Sequence, residues 1–223
     1  MSARNLADKL STQYTTSIKN IDSEADVYFV ALKDSVVENV LSQINFKNKL
    51  LVHSSGSLPL SILKKYSENI GVLYPLQTFS KNRSVEFFSI PVFIESNSIE
   101  NERKLHEIAS KISNSVSVLN SEKRMFLHIS AVFACNFVNH FYTVSSEILN
   151  LNEIPFEALK PLILETALKV QEMDPTSAQT GPAVRFDENI ISAHLKLLKG
   201  INDYEELYKS ISKSIFEHHS KLI

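Results

Sequence analysis

Three groups of residues in this sequence have the chemical types and spacing to bind or transform a ligand. The first is a series of short segments rich in hydroxyls and small residues: ALKDS at 31–35, HSSGSLP at 53–59 and YPLQTFS at 74–80. Each combines backbone amides with side-chain oxygens, the equipment that holds phosphates, riboses and carboxylates. Two plainer readings stand beside this one: HSSGS as a tight turn capping the next helix, and Asp34 as a helix N-cap.

The second group is a stripe. His128, Val132, Asn136 and Asn139 fall at i, i+4, i+8 and i+11 of an otherwise apolar stretch, so a helix would align them. Buried imidazoles and amides demand partners. The stripe is therefore an internal hydrogen-bond network, a dimer seam, or a polar face turned to a cleft. The third group is QTGPAVRFDEN at 179–189, where Gly181 before Pro182 sets an abrupt turn and Arg185 supplies a cation able to grip an acidic group. Its plainer reading is an Arg–Asp pair holding the loop to its own helix. Glu165 and Lys169 form either an i,i+4 surface pair or a cleft-facing one. The remaining histidines, His106, His140, His194, His218 and His219, read as surface residues, and none has companions at metal-ligand spacing.

Elements must position these groups. Apolar runs alternate with amphipathic stretches over the first 120 residues, the βαβ rhythm of a mostly parallel sheet. The predicted strands are 27–32, 50–53, 71–74, 90–94 and 115–119, with helices over 35–44, 59–69 and 99–113. The first strand reads VYFVAL, apolar almost throughout, as expected of a strand covered on both faces. In such a sheet ligands bind beyond the carboxyl ends of the strands, where all three hydroxyl-rich segments fall. After residue 120 only helical patterns follow, over 121–149, 155–173, 189–198 and 203–218, with Ser121 as an N-cap. The fold class is thus α/β plus all-α, with domains over 1–120 and 121–223.

Composition narrows the function. The chain has 223 residues, a formal charge of −2 and scattered basic residues, which argues against a nucleic-acid partner. Cys135 is the single cysteine, so no internal disulfide exists; it reads as buried filler, and a reducing, cytoplasmic setting follows. No stretch is apolar enough to span a membrane. The four glycines, Gly56, Gly71, Gly181 and Gly200, cannot form a GxGxxG turn or a Walker loop.

Taken in order, ADVYFVALKDS, LLVHSSGSLP, YPLQTFS, FLHISAVFACNFVNHFY and QTGPAVRFDEN resemble a bacterial family of oxidoreductase-like proteins. That family joins a Rossmann-like NAD(P)-binding domain to a helical domain of unknown function. Its architecture is related to pyrroline-5-carboxylate reductases and the 6-phosphogluconate dehydrogenase superfamily. The resemblance implies NADP or NAD as cofactor, a small organic substrate, and a homodimer through the C-terminal helices. It implies cofactor contacts at Ala31, Leu32, Asp34, His53, Ser54, Ser55 and Gly56. Catalytic candidates are His128, Asn136 and Lys169; substrate contacts are Gln77, Asn139, Thr180, Gly181 and Arg185.

MSARNLADKL matches the helix after the family's second strand. By resemblance, roughly 35–40 residues forming one βαβ unit with its glycine-rich turn would precede it. What remains would bind the cofactor weakly or not at all. The competing functional classes are a non-catalytic dimeric module that senses a metabolite or nucleotide, and a purely structural assembly role.

Overall fold

The computed structural model describes residues 3–46 and 48–221. Met1 and Ser2 of the N-terminal segment lie outside them. The chain divides into two compact units, Met1–Phe137 and Val138–Ile223. The strand rhythm ends near 120, but the next helix begins by packing into the sheet unit, through contacts described below, and the division falls after Phe137.

In the first unit, α1 (Ala3–Leu10) precedes β1 (Val27–Val30). A 3-10 turn, Asp34–Val36, then leads into α2 (Val37–Leu41). The strand β2 (Leu50–His53) matches its predicted span and is buried along its whole length. The helix expected over 59–69 is only a 3-10 turn, Leu60–Leu63, before β3 (Asn69–Pro75). After β4 (Val92–Ser96) come α3 (Ile99–Ser110) and β5 (Val116–Val118). Then α4 (Ser121–Ala131) runs into a π-helical stretch, Val132–Phe137.

The sheet has the order β1-β2-β3-β4-β5, parallel except for the β3–β4 pair, which is antiparallel. A parallel return needs a crossover of a dozen or more residues, usually helical. Residues 76–91 form no α-helix, only the 3-10 turn Phe87–Ser89, so β4 comes back beside β3 in the opposite sense.

Alternation along the strands builds two cores. Leu51, Ile70 and Val72 pack on one face with Val37, Leu41 and Leu63; Leu50, Val52 and Leu73 pack on the other with Ile94, Leu105 and Ala109. Each such side chain contributes about 1.5–3 kcal/mol by leaving water. The expectation of a first strand covered on both faces is corrected: β1 pairs only with β2 among the described residues, and Phe29 stays exposed.

The second unit is helical: α5 (Val138–Asn150), α6 (Lys160–Glu172), the one-turn α7 (Pro175–Ala178), α8 (Glu188–Leu198) and α9 (Tyr204–Ser220). An apolar cavity of about 290 Å³ sits within it, lined by Phe141, Val144, Tyr208 and Ile211 among others. No helix among the described residues is long and apolar enough to cross a membrane.

Candidate functional site

The carboxyl ends of β1 and β2 are tied together by Asp34. Its Oδ2 accepts hydrogen bonds from Ser57 Oγ at 2.6 Å and Ser55 Oγ at 3.1 Å. The expected capping role is corrected. Asp34 opens a 3-10 turn whose N-cap is Lys33, and its carboxylate is turned to the neighbouring loop instead. Hydrogen bonds to a carboxylate are the stronger kind, so Asp34 holds the loop after β2 to the loop after β1.

The HSSGS segment is a tight turn. The amides of Ser57 and Leu58 donate to Ser55 Oγ at 3.2 and 3.1 Å, and the Ser55 amide donates to His53 Nδ1 at 3.2 Å. An accepting Nδ1 leaves the proton of the neutral ring on Nε2. His53 is buried, and its pKa falls to about 4, chiefly because burial penalises the charged form and next because of the Arg124 guanidinium. The Pro59 carbonyl pulls the other way without completing a hydrogen bond to Nε2.

Arg124 was not among the sequence candidates. It is 1% exposed and holds three elements at once. One guanidinium nitrogen donates to Glu95 Oε2; the other donates to the Leu58 carbonyl at 2.6 Å and to Ser121 Oγ at 3.3 Å. Ser121 Oγ in turn bonds both oxygens of Glu95, at 2.8 and 3.0 Å, and accepts from the Leu60 amide at 2.9 Å. Ser121 is therefore not the N-cap; Asn120 is, accepting from the Lys123 amide. The hydroxyl is spent on docking α4 to the sheet. The only hint in the sequence was a charged pair one turn into a helix.

That docking places His128. The ring lies against Gly56, where an added Cβ would be 2.6 Å from its Nδ1, and Nδ1 is 3.1 Å from Tyr74 Oη. Burial raises the Tyr74 phenol's pKa above its ordinary value, opposed by the charge of Arg124. The phenol therefore keeps its proton at neutral pH. Tyr74 and His128 line a groove of about 640 Å³ together with Gln77 and Asn136. The π-helical stretch supplies one wall. Such stretches recur at functional sites because they re-aim side chains that a regular helix would turn away. Cys135 lies exposed on that wall, which corrects its reading as buried filler.

The structure thus brings together Asp34, His53, Ser55 and Gly56, and links them through His128 to Gln77 and Asn136. Ala31, Leu32 and Ser54 are exposed on the same strand-end loops. The other candidates belong to the second unit. Asn139 is exposed on α5, its carbonyl accepting from Thr143. Lys169 donates to the Ala178 carbonyl at 3.0 Å and forms no ion pair with Glu165 among the described residues. Thr180 lines the apolar cavity, and Gly181 follows at a φ of 107°. Arg185 is exposed and makes no hydrogen bond or ion pair among the described residues. The anticipated Arg–Asp pair is absent there because Asp187 caps α8 through the Ile190 amide. Those residues contain no cluster of groups able to hold a metal ion.

The model of the family described as "Domain of unknown function (DUF2520)" matches residues 90–215. Among solved structures, a provisionally assigned NADP oxidoreductase from Bacteroides fragilis is 43% identical, with a TM-score of 0.89 over 97% of this chain and 85% of that one. A protein from Thermotoga maritima is 25% identical, with a TM-score of 0.81 over 98% and 87%. The 1-pyrroline-5-carboxylate reductase of Streptococcus pyogenes is 15% identical, with a TM-score of 0.59 over 97% and 85%, a likeness of fold. No curated protein matches. With a Rossmann-like sheet unit, a helical second unit and a family match over more than half its length, the chain belongs to the DUF2520 family.

Proposed function

We propose that this chain carries the strand-edge and substrate-groove part of a cytoplasmic NAD(P)-dependent oxidoreductase acting on a small organic compound. The observation that carries the reading is the junction at Gly56. There the loop tied to Asp34 meets His128, and His128 meets Tyr74 on the lining of the groove.

The residues present fit one end of a nicotinamide nucleotide. Asp34 is exposed, and its second carboxylate oxygen has no partner among the described residues, so it can accept from sugar hydroxyls. Ser54 and the backbone at Ala31 and Leu32 stand open beside it. In this reading the strand-end loops take the nicotinamide-ribose end of the nucleotide. When bound, a reduced nicotinamide supplies a hydride. The Tyr74–His128 pair would pass the matching proton to the substrate oxygen or nitrogen, while Gln77 and Asn136 orient it through their amides. Thr180, Gly181 and Arg185 remain proposed ligand contacts of the second unit.

Consumption of NADPH with a panel of imines and 2-oxo acids tests the reading. Turnover that falls about 100-fold in His128→Ala supports it. Ligand-induced stabilisation with no turnover at all favours a sensor module instead.

The reading includes a homodimer. No residue of α6 is buried, and Leu162 and Leu164 are 61% and 60% exposed with Leu168 and Val170 beside them in sequence. An apolar helix left in water is the usual mark of a surface that another chain covers.

A further inference from the structure

We propose that the groove lined by Tyr74 and His128 takes an uncharged, largely apolar carbonyl compound or imine and discriminates against carboxylated ones. This rests on the oxidoreductase reading of the same groove and names its substrate class.

The argument is one of charge. Among the described residues that line the groove there is no Asp, Glu, Lys or Arg. Its walls are apolar at Leu76, Phe79, Leu127, Ala131 and Val132, and its polar groups are neutral hydrogen-bonding ones. A carboxylate leaving water needs a cation or several donors in exchange, and an apolar body needs only to be covered. The nearest buried cation, Arg124, exerts its field on Tyr74 but does not line the groove. Its two terminal nitrogens are engaged by Glu95, Leu58 and Ser121, and its Nε is enclosed. Lys81 and Arg83, further along the loop after β3, are exposed and do not line the groove. The imidazole of His128, the one lining side chain able to carry a positive charge, is already shared with Tyr74, so the comparison is made at a pH above the usual histidine range. An acidic substrate would therefore lose hydration against these apolar walls without gaining a charged partner. At the rim it would keep its water and gain nothing.

A matched pair of probes tests this: acetophenone and 4-acetylbenzoate, differing only in the carboxylate, titrated at about pH 8 and followed by ligand-observed NMR. Acetophenone is expected to bind at least about tenfold more tightly. Ala131→Phe, which fills the groove, should abolish that binding. Thr78→Arg, which places a cation on the lining, should raise 4-acetylbenzoate affinity by about tenfold.

Equal or tighter binding of 4-acetylbenzoate to the unaltered chain overturns the proposal, as does failure of both probes to bind. Loss of 4-acetylbenzoate binding in Arg185→Ala would identify that arginine as a counter-charge and overturn it as well. Titrating NADPH into the same samples separates the two claims. Acetophenone preference without cofactor binding contradicts the oxidoreductase reading alone, and cofactor binding with carboxylate preference contradicts the substrate class alone.

Discussion

A Cβ on Gly56 would come within 2.6 Å of His128 Nδ1, so the bare backbone at 56 is what lets the imidazole rest on the HSSGS turn and reach Tyr74. Gly56→Ala should push the ring aside, break its bond to Tyr74 and cost about 1–3 kcal/mol in overpacking. Urea denaturation measures the loss, and the His128 ring resonances report the displacement. Unchanged stability together with unshifted resonances would contradict the contact.

The Arg124–Glu95 pair makes an asymmetric prediction. Arg124 is 1% exposed and Glu95 is 14% exposed at the side chain. Removing one partner of a buried pair costs about 3–5 kcal/mol because the other is left as an unpaired charge. The deeper charge is the costlier one to strand, so Glu95→Gln should destabilise more than Arg124→Met. The double variant should lose less than the two single losses combined. Denaturation midpoints of the three variants decide it, and the reverse order for the single variants would show that Arg124 retains other compensation.

His53 fixes a pH dependence. Its folded pKa of about 4 lies below the ordinary value of 6.5, so between those values the unfolded chain takes up a proton that the folded chain refuses. Stability therefore falls as pH drops from 6.5 toward 4, and the neutral ring's contribution is fully present above 6.5. At about 1.4 kcal/mol per pH unit, the displacement is worth roughly 3 kcal/mol across that window. The difference in stability slope between the unaltered chain and His53→Gln isolates this residue from the other six histidines. Identical slopes in the two proteins would sink the assignment.

The homodimer predicts that Leu164→Glu on α6 shifts sedimentation from two copies to one while leaving the sheet unit's circular dichroism unchanged. A chain that sediments as a monomer before the substitution would remove this part of the proposal.

Much of the fold was legible because periodicity and turn residues agreed with the tertiary outcome. LLVH was bounded correctly as β2, since a short apolar run between polar loops has few alternatives. The helical reading of 59–69 failed because contacts from outside overrode its apolar spacing. The Leu60 amide is taken by Ser121, and the chain turns in a single 3-10 element before β3. The antiparallel β4 could have been anticipated from the lack of a helical pattern over 76–91.

At the site, the strand-end segments and His128 were visible as residue types at plausible spacing. Arg124, Glu95 and the role of Tyr74 were not, because pairings across 29 and 54 residues leave no periodic trace. Nor does VFACNF differ from any apolar helical run, so the π-helical wall of the groove had no signature.

The most direct test of the central claim is an NADPH titration of isotope-labelled protein, read residue by residue in NMR spectra. The account predicts saturable shifts at Ala31, Leu32, Asp34 and Ser54–Gly56, extending to Gln77 and His128 and abolished by Asp34→Ala. Saturable shifts confined to other surfaces, or none at any attainable concentration, would contradict it.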